Sequence, residues 1–578
     1  MNIYKFPSIS TNFYKYLLIS LIFLFLGTIF LFSQKNLSII SQPTTKAQSS
    51  YPQCQQGRIT SPCQCGEKIY NAGFCCYHPN ANSGIWFDPS YEDIFSNGCP
   101  TGNFYFVDQN NPNASDENSG TEEEPWKTIE HAVQVVQAGD TILIKEGEYF
   151  VKSTGRRYIP ALNPANSGSP GNYITITNYN GEEVVITYDP EISGPSGSES
   201  GPLIGVRNRS YIKWKGLKIV ETAAGYHADT GPVIIWGSSS HIVLDGLEII
   251  GAYVGEEADN HNGIRIEGNV NDVIIQNCKI HNFDDSPEHV TPFNVCGILI
   301  YDLPTNVHIR NNEIYDNYVG VRVKDESENI LIYKNVFHDN LYGWMAVANP
   351  ATITNVRVYQ NIFYNCTRPF EPGAHGEECS FYIYNNAIYN SGKFVINWIS
   401  GSTVSLEYYN NIAYLFDSDG SRAISEWYNG VWLEFMDYND WYDGEGATIY
   451  FGTQTLDQWR SNPNDGYVNA SAPEQDPDVN SLTTDPLFVN PTSHNFHLQP
   501  FSPCINAGID RQDYDNDGNT TESINMGAYI TGDETIGLID LSQYIVEESQ
   551  PNSCASQNGV CCNENQICQN GTFISSSD

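Results

Sequence analysis

Three glycine-led stretches, GIRIE (263–267), GILIY (297–301) and GVRVK (320–324), each alternate between an apolar series and a second series. In an extended strand, successive side chains point to opposite faces. Ile264/Ile266, Ile298/Ile300 and Val321/Val323 therefore share an inner face, and Arg265/Glu267, Leu299/Tyr301 and Arg322/Lys324 share an outer one. Trp236 holds the same place one repeat earlier. Aromatic rings stack on pyranose faces, while Arg and Lys hold carboxylates or sulfates. Trp236, Arg265, Glu267, Tyr301 and Arg322 are thus candidates for holding a sugar chain. The segments before these strands, ETAAGYHADTG, GAYVGEEADNHNG and HNFDDSPEHVTPFNVCG, are rich in Asp, Glu and His. Asp284, Asp285 and Glu288 could offer hard oxygen ligands to Ca²⁺. The competing reading is that these loops are acidic only because they are solvated.

The elements that would position this face show in a second pattern. NVHIRNNEIYDN, NILIYKNVFHDN, NVRVYQNIFYNC, SFYIYNNAIYN and SLEYYNNIAYLF align on two apolar residues followed by an asparagine. That column reads Asn312, Asn335, Asn361, Asn386 and Asn411, at spacings of 23, 26, 25 and 25 residues. Upstream it continues through Cys278, Leu247 and Leu217. A period in this range marks a solenoid whose repeats bury their apolar faces only against neighbours. Alternation over three to five residues, punctuated by Asn and Gly, predicts three short strands per coil of a right-handed parallel β-helix. Amides on successive coils, about 4.8 Å apart, can hydrogen-bond to one another and to turn backbone. The coils at 217 to 312 are longer than the later ones, so their surplus residues must emerge as loops beside the candidate face.

The fold class expected is all-β, a right-handed parallel β-helix with an N-terminal capping helix, flanked by two small cysteine-rich modules. Ile129, Ala132, Val133 and Val136 supply the helix's apolar stripe. Residues 1–50 read as a signal anchor and linker, 51–100 and 536–578 as the cysteine-rich segments, and 101–535 as the solenoid. Six cysteines lie in Cys54–Cys99 and four in Cys554–Cys568, even sets that predict internal disulfides in segments too small for a full core. The spacing fits zinc less well, since pairs with a two-residue gap are missing.

Of 578 residues, 28 are Lys or Arg and 68 Asp or Glu, a formal charge of −40. Such a chain has nothing to offer nucleic acid, whose phosphates need neutralising. The apolar run Leu17–Phe32 behind Lys5 and Lys15 predicts export with the N-terminus retained in a membrane, or secretion after cleavage. Fifteen cysteines agree with an oxidising, extracellular setting. A monomer is expected.

The segment from Asn103, with GT, PWKTI, GDTI and GEY in order, resembles the N-terminal cap of secreted right-handed β-helix proteins of the pectate-lyase-like superfamily. DPLFVNPTSHNFHLQPFSPCINAGIDRQDYDNDGNTTESINMGAY resembles the closing segment of bacterial or archaeal surface proteins on that fold. GVRVKDESENILIYKNVF is similar to the lysine-bearing coil of the chondroitinase B and alginate lyase family. That resemblance implies a polysaccharide lyase in which Lys324 removes the proton α to a uronate carboxylate, with Ca²⁺ or Arg stabilising the intermediate. The family's acidic residues before the lysine are replaced here by Val319 and Val321, and WMAVAN stands where its next arginine would fall. A glycoside hydrolase using two loop carboxylates, or a non-catalytic glycan-binding surface protein, also fits these residues. Asp513, Asp515 and Asp517 before Gly518 form the first half of an EF-hand loop, but position twelve is Ile524.

Overall fold

The structure, a computed structural model, describes residues 51–66, 68–89, 99–190, 201–222, 230–252, 260–284, 295–348, 351–374, 379–391, 404–415, 422–424, 431–451, 454–461, 478–513, 519–546, 566–569 and 572–575. The run Leu17–Phe32, the acidic residues Asp285, Glu288, Asp515 and Asp517, and Cys554, Cys561 and Cys562 lie outside the described residues. Among the described residues no helix is long and apolar enough to cross a membrane.

Three parallel sheets, of eleven, seven and twelve strands, stack coil upon coil as a β-helix. One coil shows the pattern. Val319–Lys324 lies in the seven-stranded sheet, Ser327–Tyr333 in the twelve-stranded sheet and Val336–His338 in the eleven-stranded sheet. The next coil repeats this order with Tyr342–Ala348, Ile353–Tyr359 and Ile362–Tyr364 in register. Inward residues from Val107 to Trp459 form one continuous apolar core. The helix Ile129–Val135 adds Ile129, Ala132 and Val133 to it, and its N-cap Thr128 accepts a hydrogen bond from the His131 amide. Val136 completes the stripe as an extended, fully buried C-cap residue.

At the bend between the twelve- and eleven-stranded sheets the asparagine column is an interior ladder. Asn312 donates to Asn335 Oδ1 at 2.9 Å, Asn335 to Asn361 at 3.0 Å, Asn361 to Asn386 at 3.0 Å and Asn386 to Asn411 at 2.9 Å. Each side-chain oxygen also accepts the preceding asparagine's backbone N–H, and each amide nitrogen reaches a strand carbonyl, as Asn361 does to Ile332 at 2.9 Å. Satisfied in this way, a buried amide costs little. The ladder runs one rung further, to Asn439, and ends on Asp478 and Ser481. Before each rung from Asn312 to Asn439, a residue in the left-handed region turns the chain: Asn311, Lys334, Gln360, Asn385, Asn410 and Tyr438.

Cys54–Cys63, Cys65–Cys75 and Cys76–Cys99 are disulfide-bonded, all within the N-terminal set. This module packs against the first strands of the twelve-stranded sheet through Phe87, Phe104 and Phe106. A buried charge cluster joins them: Lys215 Nζ lies 2.9 Å from Asp88 and 2.8 Å from Asp245, and Lys213 Nζ 2.9 Å from Asp245. From the far coils the chain returns along the outside. Asn410 binds Ile509, Asn385 binds Asn525 and Gly527, and Asn311 binds Thr535 and Gly537. The return ends at Ile545–Val546, which pairs antiparallel with Ile69–Tyr70 of the cysteine-rich module.

Candidate functional site

Strand register places the candidate residues in two rows on the outer face of the seven-stranded sheet. Ile234, Arg265, Leu299, Arg322, Met345 and Glu371 form one row. Trp236, Glu267 and Tyr301 form the other, which Lys324 and Val347 extend. Their inward neighbours Ile264, Ile266, Ile298, Ile300, Val321 and Val323 are fully buried.

The face differs from an open surface. Arg265 is 2%, Glu267 7% and Arg322 8% exposed, so residues on the outward face are themselves packed. The reason is the face's own apolar floor, in which Cys296, Leu299, Val319 and Met345 cluster with Tyr301, Tyr318 and Tyr342 against them. Arg265 Nε donates to Glu267 Oε2 at 2.5 Å, and its Nη1 lies 3.3 Å from Asn262 Oδ1. Glu267 therefore serves first as a partner of Arg265. Arg322 Nε is buried with no hydrogen-bond partner among the described residues, and burial lowers the guanidinium's pKa. A buried charge with an unused donor favours an anion brought from outside.

Lys324 is partly exposed, its ammonium 5.1 Å from the centroid of the Tyr301 ring. Burial, then the Arg322 cation, lower its pKa below the ordinary lysine value. A lysine so placed loses its proton more readily, which a base requires. Burial also raises Tyr301, and pushes the Cys296 thiol up to about 12.

Several members of this face were not singled out by the sequence reading. Arg207 reaches over Trp236 at 4.9 Å and Tyr158 stacks on the same ring at 5.1 Å. Arg207 ends the strand Ile204–Arg207 in register with Trp236, so the repeat phase could have found it. Tyr158 lies in a connection without repeat phase and gave no such signal. Glu371 was also accessible by phase, two coils beyond Lys324, whereas Tyr342 was not, because alternation from the inward Trp344 and Ala346 would turn it inward.

The metal candidates are not brought together by described residues. Asp284 and Asp513 are described, their partners Asp285, Glu288, Asp515 and Asp517 are not, and no three acidic, His or Cys side chains converge on a metal position among the described residues.

A family model described as Pel9A-like, right handed beta helix region, matches residues 105–329, the stretch that holds Trp236, Arg265, Glu267, Tyr301, Arg322 and Lys324. The solenoid is a right-handed parallel β-helix. Over 483 residues the chain is 25% identical to the uncharacterized protein YwoF of Bacillus subtilis (strain 168), covering 72% of this chain and 94% of that protein. The crystal structure of pectate lyase Pel9A matches with a TM-score of 0.50 at 16% identity, over 76% of this chain and 99% of that one. A rhamnogalacturonan lyase structure matches at 17% identity, over 56% and 84% of the two chains, with a TM-score of 0.42. These structural likenesses concern the fold.

Proposed function

We propose that this protein is an extracellular enzyme that binds an acidic polysaccharide on the outer face of the seven-stranded sheet and cleaves it by β-elimination. The observation that carries the reading is Lys324 grouped with two buried arginines over an apolar, tyrosine-lined floor, a local basic strip, with burial lowering the lysine's pKa. A uronate carboxylate would meet Arg322, whose unused Nε donor faces no competing partner among the described residues. Neutral Lys324 takes the proton from the carbon α to that carboxylate, and the electron pair left behind becomes a carbon–carbon double bond as the glycosidic C–O bond breaks. The departing oxygen takes a proton from solvent. Arg322 stabilises the negative charge that grows on the carboxylate in between. Trp236, with Tyr158 and Arg207 against it, offers the neighbouring sugar a ring to stack on. The fold shared with pectate lyase Pel9A supports this class of substrate. Calcium could act with Asp284, Asp285 and Glu288, but the described residues form no metal position and no step here runs through the ion. Membrane retention through Leu17–Phe32 and a monomeric state complete the proposal.

The test is absorbance of unsaturated uronate products from polygalacturonate and alginate. Wild type should form them with a rate that rises with pH to a plateau below the ordinary lysine pKa of 10.5. Lys324→Ala should lose turnover and keep binding; full product formation by that variant would eliminate it as the base. The second reading, non-catalytic glycan binding, is favoured by the Arg265–Glu267 pair, which neutralises one of the two arginines internally. Binding without product from any uronate polymer would establish it.

A further inference from the structure

The twelve-stranded sheet carries a groove of its own on its outer face. A cavity of about 480 Å³ opens there, floored by His308, Leu331 and Arg357, with Asn306, Asn329 and Asn355 along one side and Gln512 at the rim. The three asparagines all sit in the left-handed region and form an outer amide ladder. Asn306 donates to Asn271 Oδ1 at 2.7 Å, Asn329 to Asn306 Oδ1 at 3.0 Å, and Asn355 to Asn329. Each amide has two N–H donors and two acceptor lone pairs, so the ladder leaves further polar capacity on every coil. Beside it, Tyr333, Tyr359, Tyr384 and Tyr409 stack at 5.0, 5.0 and 5.1 Å. The amides and the tyrosines thus repeat once per coil along the solenoid axis.

Its charge is as telling. Arg310 binds Gln276 Oε1 at 2.8 and 3.0 Å and the Tyr333 hydroxyl at 3.3 Å. Arg357 binds Gln512 Oε1 at 2.6 Å and Asn355 Oδ1 at 2.9 Å, and lies over Tyr382. Both guanidinium groups are held by neutral oxygens, and among the described residues neither has a carboxylate at hydrogen-bond distance. Of the nearby carboxylates, Glu407 lies 3.6 Å from Arg511; burial raises its pKa, and attraction to Arg511 and then to Arg357 opposes that rise. Among the described residues, Asp513 is the one acidic residue in the lining.

The geometry points to a second, non-catalytic carbohydrate site on this sheet, taking an extended uronate-bearing oligosaccharide laid along the coils. Hydroxyls recurring once per sugar meet the outer amides, an apolar ring edge meets Leu331, and a carboxylate meets Arg357. This site shares no residue with the face around Lys324, so either can stand without the other.

Affinity electrophoresis of the full chain in gels containing polygalacturonate, alginate or neutral galactan tests it. The wild type should be retarded by a uronate polymer and not by galactan. Leu331→Trp fills the groove and leaves the ladder bonds in place; Arg357→Gln removes the charge. Arg357→Gln should weaken retention about tenfold, the loss of one charge-assisted hydrogen bond, and Leu331→Trp at least as much by occluding the groove. Lys324→Ala should keep the retention. With polygalacturonate oligomers, calorimetry should show Leu331→Trp losing one binding event while Trp236→Ala retains it. Wild-type affinity in both Leu331→Trp and Arg357→Gln would overturn the site, as would absent retention of the wild type or equal retention by galactan.

Discussion

The two halves of the solenoid solve the same bend with different chemistry. In the coils to Cys278 the turn position holds Leu217, Leu247 and Cys278, all buried, at spacings of 30 and 31 residues, with 34 more to Asn312. From Asn312 on it holds an amide, and the spacings are 23, 26, 25, 25 and 28. Apolar side chains make no directional demand, so coils stacked on them tolerate insertions. An amide that must meet its neighbours above and below constrains the bend that carries it. The candidate face occupies the permissive half and its border, with Lys324 between the first two rungs of the ladder. The outer groove of the twelve-stranded sheet stands over regular coils, where periodicity itself is the recognition element.

Giving the regular half the other half's chemistry should produce the largest effect. Asn361→Leu would strand the backbone and side-chain N–H groups of Asn335 and the carbonyl of Ile332, at about 1–3 kcal/mol each, and leave the Asn386 side-chain oxygen only the backbone N–H of residue 361. The expected loss exceeds about 4 kcal/mol in urea unfolding, or the variant fails to fold. Wild-type stability would mean that the ladder is ornamental. In the permissive half the nearest counterpart is the buried cluster at Asp245. Asp245→Ala leaves Lys213 and Lys215 without their shared carboxylate and should cost about 3–5 kcal/mol, read in the same unfolding experiment.

A smaller, pH-dependent difference comes from the ladder's far end. Asp440, buried beside Cys504, has its pKa raised by burial to about 7, and Asp478 is raised to about 6 in the same way. Between 3.8 and about 7 the folded state holds a proton at Asp440 that the unfolded chain releases. Stability from this group is therefore greatest at low pH and is lost as pH rises towards 7. Asp440→Asn should flatten that slope and gain on the wild type between pH 5 and pH 8. An unchanged slope would remove Asp440 from the account. The smallest effect belongs to the start of the permissive half, where Thr128→Ala removes the cap on the His131 amide and should cost about 1 kcal/mol by thermal melting.

Much of this was legible in the sequence because the period was. Five rungs of the ladder, the inward pairs and the outward placement of Arg265, Tyr301 and Lys324 all follow from phase. The sixth rung was missed because the pairing of Leu406/Glu407 with Leu433/Phe435 shifts by one residue, so Glu434 breaks the apolar pair ahead of Asn439. A second interior amide pair, Asn317 to Asn340 at 3.1 Å, also escaped, since Cys366 and Ser391 replace it on the next coils. Burial of the outward arginines was not legible, because the cluster formed by Cys296, Leu299, Val319 and Met345 spans three coils and only register brings it together. Nor was the Lys213–Asp245–Lys215–Asp88 cluster, which joins residues from two parts of the chain with no shared period.

The return of the chain to the cysteine-rich module has a mechanical consequence. Residues 545–546 end beside 69–70, so a pull between the module and the end of the return segment loads that short antiparallel contact first. Next in line are single hydrogen bonds, Asn71 N–H to the Tyr544 carbonyl at 3.0 Å and Gly537 N–H to the Lys334 carbonyl at 2.8 Å. These peel one at a time, whereas each coil is held by three sheets at once. Tension on these contacts would strip the return segment at low force while the stack of coils stayed wound, drawing Gln512 away from Arg357 and leaving the face around Lys324 in place.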